Sequence, residues 1–466
     1  MTKKITSAKT QYIGTFCATL VVMGYGATCG WPSPTFPLLE SEERTPFADG
    51  ALNIDQISWI GSLICPGGLL GTLLGGWMCD KFGRKFSTCV VALPQIASWV
   101  FIIFADGVVH LYISRFLGGL AGGIAFVAVP IFIAEIAETE IRGFLGSMLV
   151  FAANFGIFFA YIAGAFLDFY SVPLVFLVLP IALLAGFIYL PETPSYLATH
   201  GRYMDAEESL RFYRCLPRGN NECESFTKEL AALKNCDVQS ANNKILKEKI
   251  QITDFASRHA KRAVLIGVVL VVLNQFCGCF AMLNYTASIF EKAGSTLSPN
   301  ISAIIVGFIQ IVGSFFSTIL VDRAGRKFCI AISAGGTCIG LAILGTYTYL
   351  DMIGIDTSKF LWIPLVSFSF VIFIASWGVL TLPFLVLSEI MPEKIKAFTT
   401  TLCMSILWIC AFIAIKSLPT LIQYLEMYGT MFLFSTFSLI GTILVLLLQP
   451  ETKGKTFSEI SKILGK

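Results

Sequence analysis

Two adjacent amides, Asn274 and Gln275, interrupt an otherwise apolar run at residues 263–290. A polar side chain in hydrocarbon is costly and needs a reason to be there. At about 100° per residue, a continuous helix would gather Asn274, Gln275, Gly278, Met282 and Tyr285 into an arc of about 100°. That is a polar strip with one small residue, as a cavity wall would be. Amides donate and accept at once, which matches the hydroxyls of a neutral polyol. Asn284, Gln310 and Asn154 are further amides in apolar runs, and Phe384 and Trp408 offer faces on which a ring stacks. Each aromatic, taken alone, is as well read as packing filler or a lipid-facing group. Nothing resembles a nucleophile beside its base, a metal cluster or a phosphate-cradling loop, so an enzyme, a cofactor and a metal are not expected.

The elements that must position these groups are membrane helices. Of the 466 residues 55% are hydrophobic and only 14% charged, and the mean hydropathy is +0.76. Soluble domains carry about a quarter of their residues as charges. The net charge of +3 implies no anionic partner, which argues against nucleic-acid binding. The fourteen cysteines, among them Cys17, Cys65, Cys277 and Cys403, are scattered through apolar stretches without metal-ligand spacing and read as small buried groups. A helix needs about 20 apolar residues to cross the bilayer. Twelve such runs lie near 11–31, 56–79, 86–105, 109–134, 143–168, 172–190, 263–290, 299–321, 327–349, 361–387, 396–422 and 428–449. The first is too long for a cleavable signal and lacks a small-residue cleavage site.

Basic residues orient the spans. Outside the central segment, the face holding both chain ends carries sixteen Lys and Arg, against Arg44, Lys292 and Lys359 on the other. Both ends are therefore expected in the cytoplasm. The predicted organisation is a terminus at 1–10, a six-helix half at 11–190, a polar linker at 191–262, a second half at 263–449 and a tail at 450–466. Within the linker, Met204–Leu216 and Ser225–Leu233 read as short helices.

The halves repeat one another. Asp80-x2-Gly83-Arg84-Lys85 returns as Asp322-x2-Gly325-Arg326-Lys327; Glu135 with Arg142 returns as Glu389 with Lys396; Pro191-Glu192-Thr193 returns as Pro450-Glu451-Thr452. Each recurrence falls about 240 to 260 residues on, in the same order. Two similar six-helix halves related along the membrane normal are the plan of a rocking transporter. The repeated acids and bases are then expected to meet across the halves at the cytoplasmic rim as a weak, reversible latch.

Gly76-x3-Asp80-x2-Gly83-Arg84-Lys85, Arg115-x2-Gly118-Gly119, Pro191-Glu192-Thr193-Pro194 and Pro450-Glu451-Thr452-Lys453-Gly454 together resemble the sugar porter family of the major facilitator superfamily. Ser388-Glu389-x2-Pro392-Glu393-Lys394-x-Lys396 and Gly30-Trp31-Pro32-Ser33-Pro34 are similar to its arthropod trehalose-transporter-like branch. The resemblance covers essentially the whole chain and implies an all-α integral membrane protein with twelve helices in two pseudo-symmetric halves. It also marks departures. The family's Gln-Gln pair is Asn274-Gln275 here, its span 7 asparagine falls at Phe280, its span 10 tryptophan at Phe384, its span 5 glutamine at Val150 and its span 11 asparagine at Leu407. Asn154 stands one turn beyond Val150 on the same face.

Proton-coupled members of the family place an acid in span 1 beside the span 4 arginine. Tyr12 to Trp31 contains no Asp or Glu, so Arg115 has no titratable partner there. Facilitated diffusion of a small neutral carbohydrate, trehalose or a hexose such as glucose, is the expectation, at the plasma membrane and without an obligate protein partner. Asn274, Gln275, Gln310, Asn284 and Asn154 would bind hydroxyls, while Phe280, Phe384 and Trp408 shape the cavity. Asp80, Arg84, Glu135, Arg142, Glu192, Asp322, Arg326, Glu389, Lys396 and Glu451 would form the gate. The lost amides keep open a less polar solute such as a glycoside, and a non-transporting sugar receptor is a third reading. Lys416, inside span 11, has two readings: snorkelling to the outer interface or a part in the gate.

Overall fold

The computed structural model describes residues 8–216, 226–231, 233, 252–255, 257–295, 297–455 and 457–465. Among them are eleven helical runs long and apolar enough to cross a membrane. The last, Lys394–Leu448, has 55 residues. At about 1.5 Å per residue it would measure about 80 Å, against about 30 Å of hydrocarbon. Its backbone breaks at Glu426, where φ is 57° and ψ −179°. The run is therefore two spans, 394–425 and 427–448, and the total is twelve. The others are span 1 (Lys9–Leu39), span 2 (Ile54–Phe82), span 3 (Arg84–Ile103), span 4 (Val108–Ile136), span 5 (Arg142–Phe166), span 6 (Ser171–Ile188), span 7 (Arg258–Asn284), span 8 (Pro299–Val321), span 9 (Arg326–Met352) and span 10 (Ser358–Ile390).

Packing follows the repeat. Span 1 lies on span 5, span 2 on span 4 and span 3 on span 6; in the second half, span 8 lies on span 10 and span 9 on spans 10 and 12. The halves meet where span 5 touches span 8 and span 2 touches span 11. Between lipid-soluble helices, association rests on close van der Waals fit, which small residues permit. Span 2 offers Gly67 and Gly71 and span 4 offers Gly119 and Gly123, each pair four residues apart. A Cβ on any of these four would strike a carbonyl oxygen of the facing helix: Phe116, Leu120, Ile64 or Gly68.

The described segments that follow spans 6 and 12 form short helices. Tyr203–Tyr213 matches the first predicted linker helix, Met204–Leu216, ending three residues earlier than expected. It sits against span 1 through Thr10, whose Oγ1 donates to Phe212 O at 3.0 Å. The buried Arg214 next to it donates to Ile136 O at 2.8 Å and pairs with Glu229 at 2.5 Å. The predicted helix Ser225–Leu233 lies partly outside the described residues; 226–231 are helical. The C-terminal helix Phe457–Gly465 packs on the start of span 7, where Arg262 Nη1 donates to Leu464 O at 3.3 Å.

Replacing Gly119 by Leu forces spans 2 and 4 apart. The expected outcome is a lowered Tm in detergent and loss of the monodisperse peak on size exclusion, whereas the same change at Gly76, which faces open space, leaves both nearly unchanged.

Candidate substrate site and charge clusters

The repeated motif builds the same object twice. Gly83, at φ 100°, turns the chain sharply between spans 2 and 3, a conformation that favours glycine. Span 3 then starts at Arg84 with bare N–H groups that a carboxylate satisfies well. Glu192 does so from the end of the first half: its Oε1 accepts from Arg84 N at 3.1 Å and Lys85 N at 2.9 Å. The Arg84 side chain turns back to Glu135 of span 4, Nε to Oε1 2.9 Å, and also donates to Cys79 O at 3.0 Å. Thr193 Oγ1 donates to the other oxygen of Glu135 at 2.5 Å.

In the second half Gly325 has φ 91°, Glu451 accepts from Arg326 N at 2.9 Å and Lys327 N at 3.1 Å, and Thr452 Oγ1 donates to Glu389 Oε2 at 2.5 Å. Arg326 Nε lies 3.2 Å from Glu389 Oε1. Burial pushes the Glu451 carboxyl up, but the backbone N–H groups of Lys453, Arg326, Lys327 and Thr452 outweigh it and hold the group below its ordinary value.

These pairs do not cross between halves as the repeat predicts: Arg84–Glu135 closes within the first half and Arg326–Glu389 within the second. The physical reason is reach, since each arginine begins a helix whose neighbour in the same half ends in the glutamate. Arg142 donates to Ala137 O at 3.3 Å, again locally. Asp80 and Lys396 are exposed, and among the described residues neither makes an ion pair. The side chain of Asp322 lies outside the described residues.

The amide strip of span 7 is interrupted. The helix Arg258–Phe276 ends, Gly278 adopts φ 80°, and a new helix runs Cys279–Asn284. The continuous 100° arc therefore stops at Gly278, where a Cβ would also press on the Phe434 ring. Asn274 is buried and donates to Val379 O at 2.6 Å, where span 10 itself is broken around Gly378, and it accepts from Gln275 Nε2 at 2.6 Å. Gln275 keeps a buried Oε1 with no partner among the described residues. Gln310 does likewise, while its Nε2 donates to Asn154 Oδ1 at 3.1 Å and Asn154 Nδ2 donates to Ser314 Oγ at 2.7 Å. Asn154 and Gln310 are thus one bridge between spans 5 and 8.

Asn284 is turned elsewhere. It accepts from Arg115 Nη2 at 3.4 Å and donates to Phe280 O at 2.9 Å, so it answers a cation rather than the hydroxyls expected of it. Arg115 is fully buried; its other partners are the carbonyls of Ile60, at 2.9 Å, and of Thr28. Phe280 packs half-buried on the apolar core that the two halves share, Phe384 is 40% exposed, and Trp408 is buried against Gly68 with Nε1 donating to Thr72 Oγ1 at 2.9 Å. Tyr161, whose hydroxyl donates to Leu283 O at 2.7 Å across the halves, escaped the sequence reading because a tyrosine in an apolar run has no distinguishing spacing.

The resolved polar contacts between halves run from these mid-membrane bridges to the rim opposite the chain ends. There Ser33 Oγ accepts from Ala287 N at 3.1 Å and Lys416 reaches Asp55 at 2.6 Å. Two six-helix halves, each closed by its own charge cluster and facing one another through broken helices and buried amides, have the architecture of a membrane transporter of the major facilitator fold.

The chain belongs to the family described as sugar (and other) transporter, which matches residues 13–464. It is 30% identical over 461 residues to a facilitated trehalose transporter, Tret1, of Apis mellifera ligustica, covering 99% of this chain and 90% of that one. It is 31% identical to Tret1 of Polypedilum vanderplanki, covering 98% and 88%. The inward open conformation of the xylose transporter XylE from E. coli superposes with a TM-score of 0.78 at 23% identity, over 97% of this chain and 99% of that one.

Replacing Glu135 by Gln leaves Arg84 without its carboxylate and should cost about 1–3 kcal/mol, measured as a lower Tm; Asp80→Asn should leave the Tm within error. For Glu451 the folded value is depressed, so its contribution is complete above the ordinary carboxylate value and is lost as pH falls through the depressed one. Glu451→Gln should therefore flatten the acid limb of a Tm-against-pH profile while lowering Tm at neutral pH.

Proposed function

We propose that the protein is a facilitative uniporter of a small neutral carbohydrate, trehalose or a hexose such as glucose, working by alternating access. The observation that carries this reading is the pair of buried, unpartnered amide oxygens, Gln275 Oε1 and Gln310 Oε1, beside helix breaks and the interface of the two halves. Such acceptors are expensive to leave bare and suit hydroxyl donors. The trehalose transporters among the relatives support the same solute class. Arg115 supports the uncoupled mode: its described partners are two carbonyls and an amide, with no carboxylate to exchange a proton.

In this reading both chain ends lie in the cytoplasm of a cell whose plasma membrane the protein spans. The halves occupy 11–190 and 263–449 and the linker 191–262 caps the cytoplasmic face, with 1–10 and 450–466 as its tails. The Arg84–Glu135–Glu192 and Arg326–Glu389–Glu451 clusters serve the gate by keeping each half rigid; Asp80, Arg142, Asp322 and Lys396 set charge around them. Asn274 braces span 10, Asn154 holds Gln310 in place, and Phe280, Phe384 and Trp408 shape the cavity.

A second reading has its own support. Asn274, Asn154 and Asn284 are occupied by protein partners and Val150 and Leu407 are apolar, which suits a solute with fewer hydroxyls, such as a glycoside.

Uptake of labelled trehalose, glucose and fructose into proteoliposomes, with and without an imposed proton gradient, tests both. Saturable uptake indifferent to the gradient is expected, with Gln310→Leu raising the half-saturation concentration about tenfold, the equivalent of about 1.4 kcal/mol. Accumulation driven by the gradient sinks the uniport reading; no uptake of any sugar by folded protein transfers the weight to the less polar solute.

A further inference from the structure

Lys416 sits in span 11, within an apolar run, and neither the family motifs nor the repeat accounts for it. A lysine near a helix end usually snorkels to water. This one crosses to the other half. Its Nζ lies 2.6 Å from Asp55 Oδ1, 2.7 Å from Ser58 Oγ and 3.5 Å from Asp55 O, and 4.2 Å from the centre of the Trp59 ring, a cation–π distance. All four acceptors belong to the first two turns of span 2.

That end of span 2 is built to present them. Asn53 Oδ1 accepts from Gln56 N at 2.8 Å and Gln56 Oε1 accepts from Asn53 N at 3.0 Å, a reciprocal cap that fixes Asp55 in the first turn. Trp59 is also packed on Phe412, one turn before Lys416, with ring centres 5.9 Å apart. The contact thus has a rigid acidic side, a lysine with only 24% of its side chain exposed and an aromatic floor beneath it.

We propose that Asp55 and Lys416 are the ion-pair latch of the rim opposite the chain ends, so that parting them is the charge step by which this rim opens. It rests on the alternating-access reading above. The arginine–glutamate pairs described at the terminal rim, Arg84–Glu135 and Arg326–Glu389, close within each half, whereas here a well-aligned pair joins one half to the other. With 75% of the Asp55 side chain exposed, the pair rehydrates readily on parting. A contact of this kind biases a two-state equilibrium a few-fold, up to about 5-fold, which is enough to set a resting state without trapping it. The only other ion pair described on this rim between the halves, Arg44–Glu291, is longer at 3.9 Å and exposed on both sides; it serves as the control.

The test uses the full chain with Lys416→Met, Asp55→Asn, the double variant, Lys416→Arg and Arg44→Ala. Hydrogen–deuterium exchange of the protein in nanodiscs, without any sugar, reads the rim directly. The latch predicts faster exchange over 53–62 and 412–422 in both single variants, no further gain in the double, near wild-type exchange in Lys416→Arg, and little change in Arg44→Ala. In cells expressing the same variants, zero-trans influx of labelled trehalose should show an outside half-saturation concentration about 2- to 5-fold lower, because more carriers face out. Unchanged exchange at this rim, additive effects of the two single variants, or a uniform rise across the protein would each overturn the latch. Failure of the wild type to move trehalose would count against the proposed function alone, since the exchange measurement needs no substrate.

Discussion

Each half of the protein is pinned at its terminal face by one arginine held between a carboxylate and a carbonyl, next to a second carboxylate that closes the start of a helix. Arg84 with Glu135 and Glu192, and Arg326 with Glu389 and Glu451, tie the second, third and fourth helices of a half to the segment that leaves its sixth. Ion pairs at an exposed surface contribute little. These are largely buried, with 15% to 23% of each paired side chain exposed, and the Thr193 and Thr452 hydroxyls donate to the second oxygen of each paired glutamate. Rigid halves are the condition for everything else, because motion confined to the interface between two bodies requires that neither body yields first.

The interface is made differently. Its bridges are single and mostly neutral: Asn154 to Ser314, Gln310 to Asn154, Trp408 to Thr72, Tyr161 to Leu283. Neutral bonds of this kind are each worth about 1 kcal/mol net, a scale at which a few can be exchanged for bonds to water or to a solute. The helices at the interface are also discontinuous, at Gly278 in span 7 and near Gly378 in span 10. Discontinuity in hydrocarbon is tolerated where the freed backbone groups find partners inside the protein, and Asn274 bonding to Val379 O is one such partner.

Arg115 shows how a charge within a family-like motif changes meaning with its surroundings. With no acid in span 1, its guanidinium is held by the carbonyls of Ile60 and Thr28 and by Asn284 of the other half. A cation held by carbonyl and amide dipoles, with no carboxylate among its described partners, acts as a structural joint between spans 1, 2, 4 and 7.

Hydrophobic run length and the recurrence of three motifs were enough, from the sequence, for twelve spans in two halves, because each is a local or one-dimensional property. Spans 11 and 12 were separable by length even though no strong breaker stands at Glu426. Asn274 and Gln275 were legible as unusual because two amides in hydrocarbon need partners. Which partners was not legible. The break at Gly278 ended the strip and reset the phase of the helix beyond it, where Asn284 meets Arg115. Arg84 and Glu135 were each recognisable as members of repeated motifs, but that they pair with each other, within a half and not between halves, depends on which helix ends lie side by side. Lys416 is the clearest case: its two readings differ only in where the ammonium points, and Asp55 stands 361 residues away in sequence. Composition and spacing determine which groups must be satisfied inside a membrane; only the tertiary fold, by bringing distant helix ends within about 3 Å, decides what satisfies them.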